Sequence, residues 1–238
     1  MKAEWKKRLM QAAFLLAGVS ILILMAFTKK NYGHGEEGNQ EVQEAKEKQE
    51  DTFQISKVIE SCVRVQAEGH YGSGSIYELS EEDIIIVTNR HVLQYWNEDS
   101  YVTFFNGAVG SGRIIGLSET ADVGFLSINR AFLTEEETQE LCAVERSEAV
   151  LSRGDVLYMV DLASDVWQPV AYEGQVLEPY KYLEEFGTEM LYGESLFKPG
   201  MSGCGVFDRE GKYVGMLTGG TEQNEIAAVP ASSISLRN

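Results

Sequence analysis

From about residue 53 the chain is written in short apolar runs of Val, Ile, Leu, Phe and Tyr, broken every ten residues or so by Gly, Asn, Asp or Ser. The runs SCVRVQA, GSGSIYEL, DIIIVTN, YVTFFN, GRIIGLS, VGFLSIN, DVLYMVD, VAYEGQVL, CGVFD and KYVGMLTG have the length and β-branched texture of strands. Asn106-Gly107 and Glu210-Gly211 fit hairpin turns. Ten or more short strands with few long helical patterns predict an all-β barrel or sandwich. One helical stretch, Thr134–Leu141, is expected at the periphery. No sequence repeat with a period of 20–50 residues is visible.

The first fifth of the chain has a different texture. Residues 9–27 are almost uncharged, long enough for a helix to cross a hydrocarbon core of about 30 Å. Lys2, Lys6, Lys7 and Arg8 precede them and form a basic tail over residues 1–8, which orients the N-terminus toward the cytoplasm. The expectation is an uncleaved signal anchor that leaves the rest of the chain outside the cytoplasm; a cleaved signal peptide, and so a secreted protein, is the alternative. Residues 28–52 are polar, mostly Glu, Gln, Lys, Gly and Asn, and cannot pack a core. Glu44 and Lys48 stand at helical spacing, which fits a solvated stalk. Residues 53–238 form the main domain.

Charge narrows the choice of partners. The formal net charge is -17, and residues 61–238 hold 28 acids against 11 bases. Phosphate binding needs a basic patch, and this surface offers none, so no nucleic-acid partner is expected. The three cysteines, Cys62, Cys142 and Cys204, form no CxxC pair and allow at most one disulfide bridge. Three small buried apolar side chains are the alternative. His34, His70 and His91 have no Cys or Glu at ligand spacing, so no metal is expected.

Three local patterns carry chemistry. Val87-Thr88-Asn89-Arg90-His91-Val92 ends an apolar strand in a histidine. Ala121-Asp122-Val123-Gly124-Phe125-Leu126 puts an acid just ahead of another strand. Pro199-Gly200-Met201-Ser202-Gly203-Cys204-Gly205 sets a serine in a glycine-dense loop that leads into a strand. A serine hydroxyl becomes a useful nucleophile only when a base takes its proton. Imidazole does this near neutral pH, and a carboxylate holds it in the required tautomer. A tetrahedral intermediate also needs N–H groups aimed at its oxyanion, and glycines beside the serine let the backbone supply them. Each pattern alone is weak; their order and strand context together are not.

The set resembles the trypsin-like serine peptidases, and among them the bacterial high-temperature-requirement (Deg) branch, over about residues 58–236. GSGSIYE with IIIVTNRHVL is similar to that branch's histidine segment, ETADVGFLSI to its aspartate segment, and KPGMSGCGVFDREGKYVGMLTG to its nucleophile loop and hairpin. Arg153-Gly154-Asp155 with VLYMV, YEGQVLE and EIAAVPASS resemble the start, the next strand and the close of its second barrel. The resemblance implies two six-stranded antiparallel β-barrels, at about 58–145 and 146–236, with an active site between them. It implies His91 as general base, Asp122 as its orienting acid and Ser202 as nucleophile, with the amides of Gly200 and Ser202 as oxyanion hole. Thr218 falls where the family has a residue near the catalytic acid, and Gly219 and Gly220 on the strand that pairs with substrate backbone. Leu196, Leu217 and Ile226 fall on the walls of the primary specificity pocket. With no acid at its base and Ile226 where Gly is common, the pocket is expected to be shallow and to prefer a small or medium apolar residue.

The departures have consequences. Met201 stands where secreted digestive relatives carry the Asp that receives a new N-terminus, so zymogen activation is not expected. Cys204 and Gly205 replace Gly and then Pro or Ala; Cys204 is expected to pack rather than react. No C-terminal peptide-binding module is expected. The chemistry needs no cofactor, and its partners are protein or peptide substrates. The expected function is a membrane-anchored, extracytoplasmic serine endopeptidase. The alternatives are a catalytically silent binding or sensing module on the same fold and an esterase, although the strand-turn-helix context of GxSxG is absent.

Overall fold

The computed structural model describes residues 56, 58–162 and 169–236. The basic tail, the apolar run at 9–27 and the polar stretch at 28–52 lie outside the described residues. Among the described residues no helix is long and apolar enough to cross a membrane.

Most strands fall on the predicted runs; Val109–Gly110 and Thr188–Ser195 fall on none of them, and Val170–Leu183 extends past VAYEGQVL. In the first half they are β1 (Cys62–Ala67), β2 (His70–Leu79), β3 (Asp83–Thr88), β4 (Tyr101–Phe104), β5 (Val109–Gly110), β6 (Gly112–Leu117) and β7 (Gly124–Asn129). In the second they are β8 (Val156–Asp161), β9 (Val170–Leu183), β10 (Thr188–Ser195), β11 (Gly205–Phe207), β12 (Tyr213–Gly220) and β13 (Glu225–Pro230). Two short helices intervene, α1 (Arg90–Leu93) and α2 (Glu135–Gln139). Helix α2 starts where the sequence predicts, because Thr134 and Glu137 form a reciprocal capping box that satisfies its first free N–H groups. The Asn106-Gly107 and Glu210-Gly211 turns join β4 to β5 and β11 to β12.

The second half closes into a six-stranded antiparallel barrel in the order β10-β13-β12-β11-β8-β9, as expected. The first half corrects the expectation of a second six-stranded barrel. It is a seven-stranded sheet in the order β5-β4-β1-β2-β3-β7-β6. Its two edge strands, β5 and β6, are separated by the single residue Ser111, so the sheet curls until its edges meet. Among the described residues no hydrogen-bonded ladder joins them. The Ser111 hydroxyl instead donates to the Ser100 carbonyl at 2.9 Å, and the strand breaks there.

Period-two alternation explains why β3 reads as an unbroken apolar run. Ile84 and Ile86 point into the core of the first sheet, with Val63, Val65, Leu126 and Ile128. Ile85 and Val87 point the other way, into a cluster that also holds Phe125, Val160, Phe207, Tyr213, Met216 and Val229. That cluster takes side chains from both halves and cements them. The second barrel has its own core, which includes Leu157, Met159, Val176, Val206, Leu217 and Ala228. Each fully buried large apolar side chain contributes about 1.5–3 kcal/mol, so the shared cluster holds the two halves in fixed relation.

Candidate active site

The ladder between β3 and β7 builds the first part of the site. Thr88 lies opposite Gly124. The chain leaving β3 and the chain entering β7 therefore run side by side, with His91 three residues beyond one end and Asp122 two residues before the other. Asp122 uses both carboxylate oxygens on this neighbour: the His91 amide donates to Oδ1 at 3.0 Å, and His91 Nδ1 lies 2.6 Å from Oδ2. A carboxylate only accepts, so Nδ1 carries a proton, and in the neutral ring Nε2 keeps its lone pair. The His91 side chain is 46% exposed and can be reached by a substrate, while Asp122 is 22% exposed behind it.

Asn89 completes this half, and sequence reasoning missed it. It occupies the N-cap position of α1 but makes no capping bond. Its side-chain amide instead donates to the Asp122 carbonyl at 2.9 Å and to the Thr218 hydroxyl at 3.2 Å. One fully buried amide thus ties the histidine segment to the aspartate segment and to the far barrel.

The serine loop comes from between β10 and β11 and lies against β2. The Ser73 amide donates to the Ser202 carbonyl at 2.8 Å. Gly72 is the meeting point of the two segments. A Cβ there would stand 2.8 Å from Val92 Cγ2, beside His91, and 3.1 Å from the Ser202 carbonyl oxygen. The Ser202 hydroxyl faces the Thr218 carbonyl at 3.5 Å. That distance is at the outer limit of a hydrogen bond, so the hydroxyl is held weakly and free to turn toward a base. Gly200 and Gly203 have φ of +94° and +91°, in the left-handed region that side chains rarely enter. The Met201 side chain is fully buried in the second barrel, an apolar anchor where an acid would need a buried counter-charge.

The remaining predicted residues are divided by burial. Leu217 and Ile226 are sealed in the second core, whereas Leu196 is exposed. A Cβ on Gly220 would meet the Phe197 side chain at 2.5 Å, and one on Gly219 would approach Phe186 at 3.7 Å. Neither phenylalanine was singled out from sequence, since nothing local marks an aromatic that will cover a distant glycine pair.

No disulfide joins Cys62, Cys142 and Cys204 to one another, so the single bridge that the count allowed is not formed. Cys62 and Cys204 are buried; Cys142 is only half-buried. The Cys204 thiol donates to the Val160 carbonyl at 3.2 Å, and burial pushes its pKa up to about 12. It is therefore a protonated packing group at neutral pH, two residues from the serine. No cluster of His, Cys, Asp or Glu suited to a metal occurs among the described residues.

Comparison with known proteins adds a family. Residues 72–216, which include His91, Asp122 and Ser202, match the trypsin-like peptidase domain. A Staphylococcus aureus (strain USA300) protein described as serine protease HtrA-like is 26% identical over 160 residues, covering 61% of this chain and 20% of that protein. The same match recurs in strain NCTC 8325 / PS 47. This chain spans about a fifth of the length of these curated relatives. Among solved structures, Deg5 superposes with a TM-score of 0.63 at 22% identity, covering 79% of this chain and 91% of Deg5. An inactive serine-to-alanine form of Rv3671c from M. tuberculosis H37Rv superposes with a TM-score of 0.60 at 12% identity, covering 76% of this chain and 85% of that one. At such identities the two likenesses speak for the fold, while the domain match extends over more than half of the sequence: the chain belongs to the trypsin-like peptidase family.

Proposed function

We propose that this protein is a serine endopeptidase in which Ser202 is the nucleophile, His91 the general base and acid, and Asp122 the residue that orients His91. The observation that carries the reading is the two-point hold of Asp122 on the amide and Nδ1 of His91. It fixes the ring with Nε2 as acceptor, the state a general base requires. In the reaction Ser202 Oγ attacks the scissile carbonyl carbon and its proton passes to Nε2. The carbonyl π electrons become the oxyanion, which takes hydrogen bonds from the amides of Gly200 and Ser202. Collapse breaks the C–N bond, and His91 returns the proton to the leaving amine. Water, deprotonated by His91, then releases the acyl group from Ser202.

Substrate backbone is taken along Thr218, Gly219 and Gly220, and the residue before the cut meets Leu196, with Leu217 and Ile226 closing the pocket from within the second core. The complete burial of Leu217 and Ile226, with Phe197 pressed against Gly220, supports a shallow apolar pocket. Profiling the full-length protein with a peptide library is expected to give cleavage after small or medium apolar residues, favoured by about tenfold or more over Lys and Arg. A preference for Lys or Arg would overturn the pocket assignment, and no cleavage of any peptide would count against the endopeptidase itself. The apolar run at 9–27, with Lys2, Lys6, Lys7 and Arg8 ahead of it, supports an enzyme anchored in a membrane with its active domain outside the cytoplasm. Its substrates are then extracytoplasmic proteins or peptides.

A further inference from the structure

The serine loop reveals an alternation when the hydrogen bonds of its peptide units are followed in order. A peptide unit is planar, so fixing its carbonyl fixes its N–H in the opposite direction. The unit between Gly200 and Met201 is held at both ends: its carbonyl accepts from Ser73 Oγ at 2.9 Å, and its N–H donates to the Lys198 carbonyl at 3.1 Å. The unit between Ser202 and Gly203 is also held at both ends. Its carbonyl accepts from the Ser73 amide at 2.8 Å, and its N–H donates to the Leu217 carbonyl at 2.8 Å. The N–H groups that alternate with these, on Gly200 and Ser202, donate to no carbonyl or side chain among the described residues; the Ser202 N–H is steadied from behind, since the Met201 carbonyl of its peptide unit accepts from the Cys204 amide at 2.9 Å, whereas the Gly200 N–H depends on its neighbours. Backbone N–H groups rarely stay unpaired. Gly200, at φ +94°, could turn at little cost to find a partner. Something must hold the loop against that turn.

We propose that Ser73 is a positioning residue that keeps the amides of Gly200 and Ser202 aimed outward as an oxyanion site. The inference rests on the serine-peptidase reading above. Ser73 suits the task because it is itself immobile. It lies on β2 in the first sheet, is 1% exposed, and its own carbonyl accepts from the Thr88 hydroxyl at 2.6 Å. Its hydroxyl and its amide grip the two flanking peptide units of a loop that belongs to the barrel of the second half, 127 residues away for the hydroxyl contact. Oxyanion stabilisation in the barrel thus depends on a hydroxyl in the first sheet. No contact between Ser73 and substrate is needed, and its influence is confined to steps in which negative charge develops on the carbonyl oxygen.

The test uses the full-length protein, a peptide substrate and a peptide aldehyde, which forms a hemiacetal on the serine and needs the same amides. Ser73→Ala is expected to lower kcat by about tenfold, the worth of one hydrogen bond, with KM unchanged within about twofold. Aldehyde affinity is expected to fall by the same factor as kcat/KM. Ser127→Ala is the control, since it also removes one buried hydroxyl from the first sheet, donated there to Asp83 at 2.9 Å. It should lower thermal stability comparably and leave kcat and aldehyde affinity unchanged. If Ser73→Ala does not fold, Ser73→Cys, with similar shape and a weaker donor, should show the same direction in kcat. Wild-type kcat in whichever variant folds, or a loss in KM alone, would overturn the role of Ser73 while leaving the peptidase reading intact. A wild-type protein that neither cleaves peptides nor is bound by the aldehyde would overturn both.

Discussion

Asp122→Asn is expected to lower kcat by about 10⁴, with little change in KM and an unchanged circular dichroism spectrum. Asp122 meets two donors on His91, the backbone amide at 3.0 Å and Nδ1 at 2.6 Å. An asparagine can accept only one of these hydrogen bonds through its oxygen, and its NH₂ group then faces the other donor. The arrangement that removes the conflict keeps the oxygen on the backbone amide and moves the ring proton from Nδ1 to Nε2. The nitrogen that should take the Ser202 proton then already carries one. The loss therefore appears in the chemical step and not in binding. Steady-state kinetics across pH check this, and activity within tenfold of wild type would show that His91 does not depend on Asp122 for its tautomer.

Gly203→Ala is expected to destabilise the protein by about 3–5 kcal/mol and to abolish activity in whatever fraction stays folded. Two effects combine there. The φ of +91° penalises any side chain, and a Cβ would run into the Ser73 carbonyl oxygen and approach the Thr88 hydroxyl. Both neighbours belong to the first sheet and are hydrogen-bonded to each other, so neither can yield. Gly154 separates the two effects. Its φ is +90°, yet nothing lies within 4 Å of where its Cβ would be. Gly154→Ala should therefore cost only about 1 kcal/mol. Urea unfolding of the two variants gives the comparison, and equal losses would mean that the collision with β2 contributes nothing.

Much of this architecture could be read in the chain because burial and strand period coincide. In β3, Ile84, Ile85, Ile86 and Val87 are apolar because both faces of the strand are covered. In β9 and β10 the coincidence fails. Of the fourteen residues of β9 only Val176 is fully buried, so its extension through Glu178, Lys181 and Tyr182 to Leu183 looks like a loop. Strand β10 hides in TEMLYGES for the same reason: polar residues interrupt its buried positions. The open first sheet was unreadable because it turns on one residue, Ser111, whose effect is a strand break and not a change of pattern.

The site divides similarly. His91 and Asp122 were legible because each stands at the end of a strand, and the pairing of those two strands brings them together. Ser202 was singled out through its glycines. Asn89 was not, because nothing local marks an amide whose partners are remote in sequence, and only the folded chain shows it crossing to Asp122 and Thr218. Phe186 and Phe197 were missed because their partners, Gly219 and Gly220, are remote in sequence.

The most direct measurement is labelling of the purified full-length protein with a fluorophosphonate, beside Ser202→Ala, with the modified residue located by mass spectrometry. The account predicts a single phosphonylated residue, Ser202, in the wild type and no labelling in the variant. A folded wild type that resists the reagent, or a label that persists in Ser202→Ala, would contradict the claim that Ser202 is an activated nucleophile.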